Sequence, residues 1–224
     1  MRLMRINVFN CFTSLLSAME TAAILELPGS AVAEYLLVVQ PHEDLFNRIM
    51  QEKQAFARAY DCPAASFGQP QIVLAKIVQR IWSEPNWLRR IARTVSEHKP
   101  FTVTLENYGS FPTHSIYLQV KTKSAIVSLV KALRQHGKYM YYDAAYKPHF
   151  ITEPHLTIAR KLLPWQYEQA WQAYRHQFFS GMFLAKEVLL LRRRLSEKHY
   201  HILERFALEG KQQQVVQGGL FEIF

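Results

Sequence analysis

The alternation of apolar and polar positions predicts a strand, a helix and a second strand in the first third of the chain. Residues 34–39 read EYLLVV and are predicted to form the first core strand, whereas apolar residues in 42–60 recur at helical spacing. A proline-bearing stretch, 63–70, is predicted to be a loop before a second strand at 72–78. This order defines one strand-helix-strand unit.

The same patterns continue through the rest of the chain and predict an α+β fold rather than a doubly wound parallel sheet. The further predictions are a helix at 85–98, a strand at 101–105 broken by Tyr108-Gly109-Ser110, a strand at 115–120, a helix at 124–135, a strand at 156–159, a helix beginning at Pro164 and running through 165–179, and strands at 188–192 and 200–208. No Pro- or Gly-rich linker divides the chain, so we expect one bilobal domain at 34–209.

The two ends of the chain are predicted to lie outside that domain, as an N-terminal extension at 1–33 and a tail at 210–224. The first segment imitates a secretory signal, with Arg2 and Arg5 before an apolar run and Ala31-Val32-Ala33 after it. Glu20 and Glu26 interrupt the apolar run, so we predict an appended helix or leader instead. No apolar run is long enough to span a bilayer, so we expect a soluble protein. The two cysteines, Cys11 and Cys62, lie far apart and fit a reducing cytoplasm.

Charge and cysteine content narrow the function classes. The chain carries 27 Lys and Arg against 18 Asp and Glu, a formal charge of +9, which favours an anionic partner such as nucleic acid or a nucleotide. The run Arg192-Arg193-Arg194 is more typical of a solvated strand or turn than of a phosphate clamp. Cys11 and Cys62 stand apart and form no Cys/His cluster, so neither a disulfide framework, a zinc site nor any other cofactor is predicted.

Two segments of similar sequence indicate an internal repeat. Residues 70–76 read PQIVLAK and residues 154–160 read PHLTIAR, and these segments match in character at every position except two. Each lies among strands and helices in a similar order, as expected for duplicated lobes around a central groove. The alternative is two unrelated buried strands that each follow a proline.

The second copy of the repeat carries groups suited to phosphodiester chemistry. Side chains two positions apart on a strand share a face, so His155 and Thr157 project together, as do Gln71 and Val73. An imidazole transfers protons near neutral pH, and a hydroxyl donates a hydrogen bond to a non-bridging phosphate oxygen. We therefore predict a groove that presents His155 and Thr157 to a phosphodiester.

The segment 154–160 resembles the second His-x-Thr motif of the two-histidine phosphoesterases, which include bacterial 2′-5′ RNA ligases and 2′,3′-cyclic phosphodiesterases. The resemblance spans 34–208 and implies a base and an acid histidine, one from each motif, with hydroxyls that hold the phosphate. Gln71 and Val73 occupy the first motif instead of histidine and a hydroxyl residue. Glutamine donates hydrogen bonds but exchanges no proton near pH 7, which leaves a weakened enzyme or a binder of RNA or nucleotides without catalysis.

Other residues near the motifs have competing interpretations. His114 and His149 lack a hydroxyl two positions on, so we interpret them as a strand-entry histidine and a loop histidine. The loop at 138–147 interleaves tyrosines with cations, and its Tyr142 and Lys147 either contact the substrate or pack at the rim. Lys76 and Arg160 have the opposite strand parity to the motif residues and are interpreted as structural.

The tail contains a short motif of its own. Gln217, Leu220 and Phe221 resemble the Gln-x-x-Leu-Phe peptides with which bacterial proteins dock on the replication sliding clamp. The favoured alternative is a tail that folds back onto its own domain. A structural or interaction protein that is recruited through its tail is the third function class.

Overall fold

The structure is a computed structural model that describes residues 31–211. Five α-helices lie in this range, at Glu43–Ala59 (α1), Ala64–Phe67 (α2), Glu84–Ser96 (α3), Lys123–Arg134 (α4) and Pro164–Tyr174 (α5). The strands described are Val32–Val39 (β1), Ile72–Arg80 (β2), Phe101–Phe111 (β3), Ser115–Val120 (β4), His149–Phe150 (β5), His155–Arg160 (β6), Ser180–Ala185 (β7), Glu187–Arg194 (β8) and His201–Ala207 (β9).

All of these strands belong to one antiparallel sheet with the order β7-β3-β4-β6-β2-β1-β8-β9, and β5 pairs with the free side of β2. The central pair, β6 and β2, carries the two repeated segments and is joined through Ile72 and Leu156. Four strands of this order lie on each side of the junction. This arrangement confirms the predicted α+β fold with two lobes.

The helices pack against one face of the sheet and leave the other face open at its centre. Helices α1, α2 and α5 contact the β3-β4-β6-β7 half, whereas α3 and α4 contact the other half. The spacing of Trp87, Ile91 and Val95 places all three on the buried side of α3. Trp87 packs edge-on against Tyr35 of β1, with ring centroids 5.0 Å apart. The open face is where the functional groups lie.

Three of the predicted elements were wrong in extent. The stretch at 63–70 contains the short helix α2, and β3 continues through Tyr108-Gly109-Ser110 to Phe111. The helix that begins at Pro164 ends at Tyr174, because the chain turns there and enters β7. Strand β7 was not predicted, because it is an edge strand with apolar residues on both faces and therefore shows no alternation of apolar and polar residues.

Candidate functional site

The strand register brings the two repeated segments side by side at the centre of the sheet. Because Ile72 pairs with Leu156 in an antiparallel ladder, Gln71 lies opposite Thr157 and Val73 lies opposite His155. Ile72 and Leu156 are fully buried against the helices, whereas the four motif residues are half-exposed on the opposite face. The four motif residues therefore share one face of the central strand pair, as the repeat predicted, and we call the surface between the two lobes on this face the groove.

A β-bulge follows each copy of the motif at the equivalent position. Val38 pairs with Val73 and Leu37 with Ala75, which leaves Leu74 without a partner across β1. Likewise, Tyr117 of β4 pairs with Thr157 and Ile116 with Ala159, which leaves Ile158 without a partner across β4. A bulge reverses the alternation of sides, so residues five apart in these strands share a face.

The bulges overturn the interpretation of Lys76 and Arg160. Both side chains are exposed, while Ala75 and Ala159 before them are buried, so Lys76 and Arg160 project on the same face as the motif residues. Lys76 and Arg160 were predicted to face away from the motif residues, and this prediction was wrong because the strands are not regular. Each half of the groove thus presents a cation beyond its motif.

His155 is oriented by a backbone hydrogen bond and by two aromatic rings. Its Nδ1 lies 2.8 Å from the carbonyl oxygen of Glu153. A carbonyl only accepts hydrogen bonds, so Nδ1 carries the proton and Nε2 of the neutral ring holds the free lone pair. The rings of Phe111 and Tyr117 each have their centroid 5.0 Å from that of His155. These contacts fix the ring with Nε2 available to a ligand.

The aromatic wall depends on Gly109. Gly109 lies opposite Tyr117 in the ladder, and a Cβ atom at Gly109 would stand 2.6 Å from Cε2 of the Tyr117 ring. Glycine here lets the ring lie flat over β3 and reach His155. The Tyr117 and Phe111 centroids are 4.7 Å apart. Gly109 was predicted to break the strand, whereas the strand continues through it and the glycine makes room for the aromatic wall of the site.

The first motif has a different environment on the other side of the groove. Nε2 of Gln40 donates to Oε1 of Gln71 at 3.4 Å, which leaves the Gln71 amide nitrogen free to donate. Val73 packs against an apolar cluster that includes Val38, Leu189 and Leu191. This side therefore offers one hydrogen-bond donor and an apolar wall.

Lys53 of α1 supports the second motif from beneath the sheet. It is buried, and its Nζ donates to the carbonyl oxygens of Thr157 at 3.1 Å and Ile158 at 2.8 Å, at the bulge. Burial lowers the pKa of Lys53 to about 8, and the charge of Arg160 contributes to this lowering. The sequence analysis did not single out this residue, because its polar contacts are made with backbone atoms distant in sequence.

A network of charged and hydroxyl groups joins β1, β2 and β8 on the groove face. Glu34 accepts from Lys76 at 3.0 Å, from Tyr200 at 2.9 Å and from Arg193. Burial alone would raise the pKa of the Glu34 carboxyl, but these three hydrogen bonds outweigh it and lower the pKa to about 2. Glu34 therefore stays ionised across the physiological range and holds Lys76 in place.

The arginine run in β8 also has a structural role at two of its three positions. Arg192 contacts Glu84 of α3 at 3.0 Å, and Glu84 in turn accepts from the hydroxyl of Tyr35 at 2.7 Å. Arg193 is bound to Glu34. The ion pairs favour the structural interpretation of this run for Arg192 and Arg193.

The remaining candidates lie around the groove. His114 stands in the turn that enters β4, as predicted, whereas His149 is not in a loop but in β5, opposite Lys76. Tyr142 contacts Arg80 at the end of β2, seven residues beyond Val73, or roughly 20 Å along the strand. Lys147 is exposed two residues before His149. Tyr142 thus lies at the far end of the groove strand and not beside the motif.

Two features are absent from the described residues, 31–211. No group of three or more His, Cys, Asp or Glu side chains in this range is arranged to hold a metal ion. No helix in the same range is both long and apolar enough to cross a membrane. The tail motif of Gln217, Leu220 and Phe221 lies outside the described residues, as does most of the N-terminal extension, and the predictions for both segments stay predictions.

An antiparallel sheet of two lobes, with the two repeated segments paired at its centre, is the architecture of the two-histidine phosphoesterases. The family model of the 2′-5′ RNA ligase superfamily matches residues 41–197, and the chain belongs to that superfamily. None of the curated protein sequences compared with the chain is significantly similar to it.

Solved structures share the fold at low sequence identity. Escherichia coli LigT complexed with 3′-AMP superposes with a TM-score of 0.57 at 16% identity, over 79% of this chain and 98% of LigT. LigT complexed with phosphate gives a TM-score of 0.52 at 16% identity, over 80% and 99%. The protein TT0787 of Thermus thermophilus gives 0.53 at 19% identity, over 80% and 100%. These similarities establish the shared fold.

Proposed function

We propose that the groove binds a phosphodiester of RNA or of a nucleotide end and hydrolyses it slowly with a single histidine. The observation that carries this proposal is the state of His155, whose Nδ1 is committed to the Glu153 carbonyl and whose side chain shares the exposed strand face with Thr157. The 3′-AMP and phosphate in the LigT complexes support a nucleotide ligand for a groove of this fold.

Each motif residue has a distinct part in the proposed reaction on a 2′,3′-cyclic phosphate. Nε2 of His155 removes a proton from the water that attacks phosphorus, and the bond from phosphorus to one ribose oxygen breaks. The Thr157 hydroxyl and the Gln71 amide donate hydrogen bonds to the non-bridging oxygens. Gln71 has no proton to give the leaving oxygen, which takes one from water instead. A missing acid costs on the order of a hundredfold to ten-thousandfold in rate.

The cations beyond the bulges favour an anionic substrate at this position. Lys76 and Arg160 project on the groove face after their respective motifs, and Glu34 orients Lys76. Their charges attract a phosphate before any hydrogen bond forms. We extend the proposal to a cytoplasmic location, in keeping with the reduced, buried thiol of Cys62, and to a functional domain at 34–209.

One observation favours a second candidate, a binding module without catalysis. Val73 stands where the resemblance places a phosphate-binding hydroxyl, and it packs with Val38, Leu189 and Leu191 into a continuous apolar cluster. A wall of this kind accommodates a base or sugar face better than a phosphate oxygen. The groove would then retain nucleotide binding while turnover is lost altogether.

Hydrolysis and binding measured on the same variants separate the candidates. The natural chain is expected to hydrolyse 2′,3′-cyclic AMP slowly, His155→Ala to reduce this to the uncatalysed rate, and Thr157→Val to weaken binding of 3′-AMP by about tenfold, the loss of one hydrogen bond to a charged group. His176→Ala, which alters an exposed histidine after α5, is the matched control and should change neither quantity. Binding of 3′-AMP without any turnover selects the binding module, and a groove with neither property refutes both candidates.

A further inference from the structure

Helix α3 presents three exposed arginines next to the turn that follows α4. Arg89, Arg90 and Arg93 lie on the solvent side of the helix, and Tyr139 of the following turn stands opposite them. A cavity of about 520 Å³ opens between these elements and is lined by Asn86, the three arginines and Tyr139. A second cavity of about 290 Å³ adjoins it between α3 and α4, and shares Arg90 and Arg93.

The charge of this surface is only partly neutralised. The Arg90 guanidinium lies 3.9 Å from the centroid of the Tyr139 ring. Arg89 donates to the carbonyl oxygen of Pro85, and Arg93 pairs with Glu97 at 3.3 Å on the rim of the smaller cavity. The larger cavity is therefore lined by three cations, an amide and an aromatic ring, with no carboxylate in its lining. This composition suits a phosphate chain with bases that stack.

The loop after Tyr139 connects this surface to the groove strand. Nε2 of Gln79 in β2 lies 3.5 Å from the Tyr139 carbonyl oxygen, and Lys138 lies 5.0 Å from the Tyr139 ring centroid. Three residues further on, Tyr142 has its ring 5.2 Å from the Arg80 guanidinium and stacks on Tyr146 at 5.3 Å and 18°. Arg80 is exposed on the same alternation as Lys76, whereas Gln79 is buried on the helix side of the sheet. Cations and rings therefore pass from the groove face around the end of β2 to α3.

We propose that Arg89, Arg90, Arg93 and the loop tyrosines form a second binding site, for single-stranded nucleic acid, that continues the groove. The inference rests on the proposed function for the chemistry of the ligand, because one nucleic-acid strand would place a phosphodiester at His155 and its flanking nucleotides at α3. Arg80 lies roughly 20 Å along β2 from Val73. A mononucleotide bound at His155 does not reach this distance, so the site selects polynucleotides.

A single strand fits better than a duplex or an anionic membrane. Tyr146 is 47% exposed and Tyr139 is 38% exposed, so both rings have surface open to solvent. Stacking on such a ring requires a base that is not paired inside a helix, and proteins that bind single strands gain affinity from each base stacked in this way. Lipid headgroups supply phosphate but no flat ring.

The test compares a triple variant with a control of equal charge. Arg89→Ala, Arg90→Ala and Arg93→Ala together remove the α3 cations. Arg58→Ala, Arg175→Ala and Lys186→Ala together remove three cations at the end of α1, after α5 and between β7 and β8. Binding of a labelled twelve-nucleotide single-stranded RNA is measured against salt concentration, alongside hydrolysis of 2′,3′-cyclic AMP and binding of 3′-AMP.

The α3 triple variant is expected to bind the oligonucleotide on the order of tenfold to a hundredfold more weakly. Its salt slope should fall by about 2, since each lost phosphate contact on a single strand contributes about 0.7. The control triple variant should stay close to the natural chain, and 3′-AMP should bind all three proteins alike. Tyr146→Ala should weaken oligonucleotide binding by about tenfold through lost stacking.

An α3 triple variant that binds the oligonucleotide as the natural chain does would overturn the inference. Equal losses in both triple variants would overturn it too, because only net charge would then matter. Binding to phosphatidylserine vesicles that depends on α3, with oligonucleotide binding unaffected, assigns the surface to a membrane instead. Failure of the proposed function is a separate outcome: 3′-AMP does not bind, and hydrolysis of 2′,3′-cyclic AMP is the same in the natural chain and in His155→Ala.

Discussion

Replacing Gln71 with histidine and Val73 with threonine would rebuild the first motif in the groove as it stands. Position 71 lies opposite Thr157 and diagonal to His155, and diagonal neighbours in an antiparallel pair lie about 7–8 Å apart, with their Cβ atoms somewhat closer. This separation lets two imidazoles face each other with a phosphate between them. The new histidine would protonate the leaving oxygen, the step that Gln71 cannot perform.

The expected gain is on the order of a hundredfold in hydrolysis of 2′,3′-cyclic AMP, or about 2.7 kcal/mol of transition-state stabilisation. The cost in folding free energy is small. Gln71→His gives up a long hydrogen bond from Gln40, and Val73→Thr places a hydroxyl against the Val38 cluster, for about 1 kcal/mol in total. A protein of this size then melts about 2–4 °C lower.

The assay is single-turnover hydrolysis, with thermal melting followed in parallel. Gln71→His alone should provide most of the gain, since it supplies the proton carrier, and Thr157→Val in the doubly changed protein should reduce the rate again. A double variant that melts within a few degrees of the natural chain but shows no increase in turnover would refute the reasoning. The groove would then be shaped for binding alone.

Three further predictions test the surroundings of the site. The pKa of Lys53 is lowered to about 8, so between pH 8 and 10.5 the unfolded chain binds more protons than the folded chain, and the free energy of unfolding rises with pH. Urea denaturation should show roughly 1 kcal/mol more stability at pH 9 than at pH 7, and Lys53→Met should lack this rise. Identical pH dependence in the two proteins would refute the prediction. The lowered pKa of Glu34 contributes stability that is present above pH 4.5 and lost as the pH falls towards 2. After allowance for solvent screening, acid denaturation should cost the natural chain roughly 1 kcal/mol more stability over that interval than it costs Glu34→Gln. Equal losses in the two proteins would contradict this prediction. Gly109→Ala should displace the Tyr117 ring from His155 and lower turnover by about tenfold, and Tyr117→Leu, which removes the ring, should lower it by a similar factor; an unchanged rate in Gly109→Ala would show that the ring is dispensable.

Much of the fold could be predicted because the chain follows ordinary periodicities. Strand β4 was predicted with its observed bounds, and helices α3 and α4 within one or two residues, since their apolar residues recur at regular spacing and glycine or proline marks their ends. β7 was missed because it is apolar on both faces: Met182 and Leu184 are exposed on this edge strand, and only its pairing with β3 identifies it. Pairing with a distant strand leaves no local signal.

The site could be predicted only in part, for a related reason. Adjacency of 71–73 with 155–157 followed from the repeat, but the direction of Lys76 and Arg160 depended on two bulges. A signal for them exists in the sequence: Leu74-Ala75 and Ile158-Ala159 are pairs of successive apolar residues at equivalent positions in the two copies. The aromatic wall and Lys53 depend on contacts between residues far apart in the chain, which no local pattern encodes.

The bulges set a condition on transferring this motif to another protein. On a regular strand, a histidine, a hydroxyl two residues later and a cation five residues later would send the cation into the hydrophobic interior, where an unpaired charge is strongly destabilising. A designer who grafts the six residues 155–160 must therefore graft the irregularity with them, including a neighbouring strand that skips one position and a donor such as Lys53 for the two carbonyls exposed there. The transferable unit is a bent piece of sheet with its support, not a string of side chains.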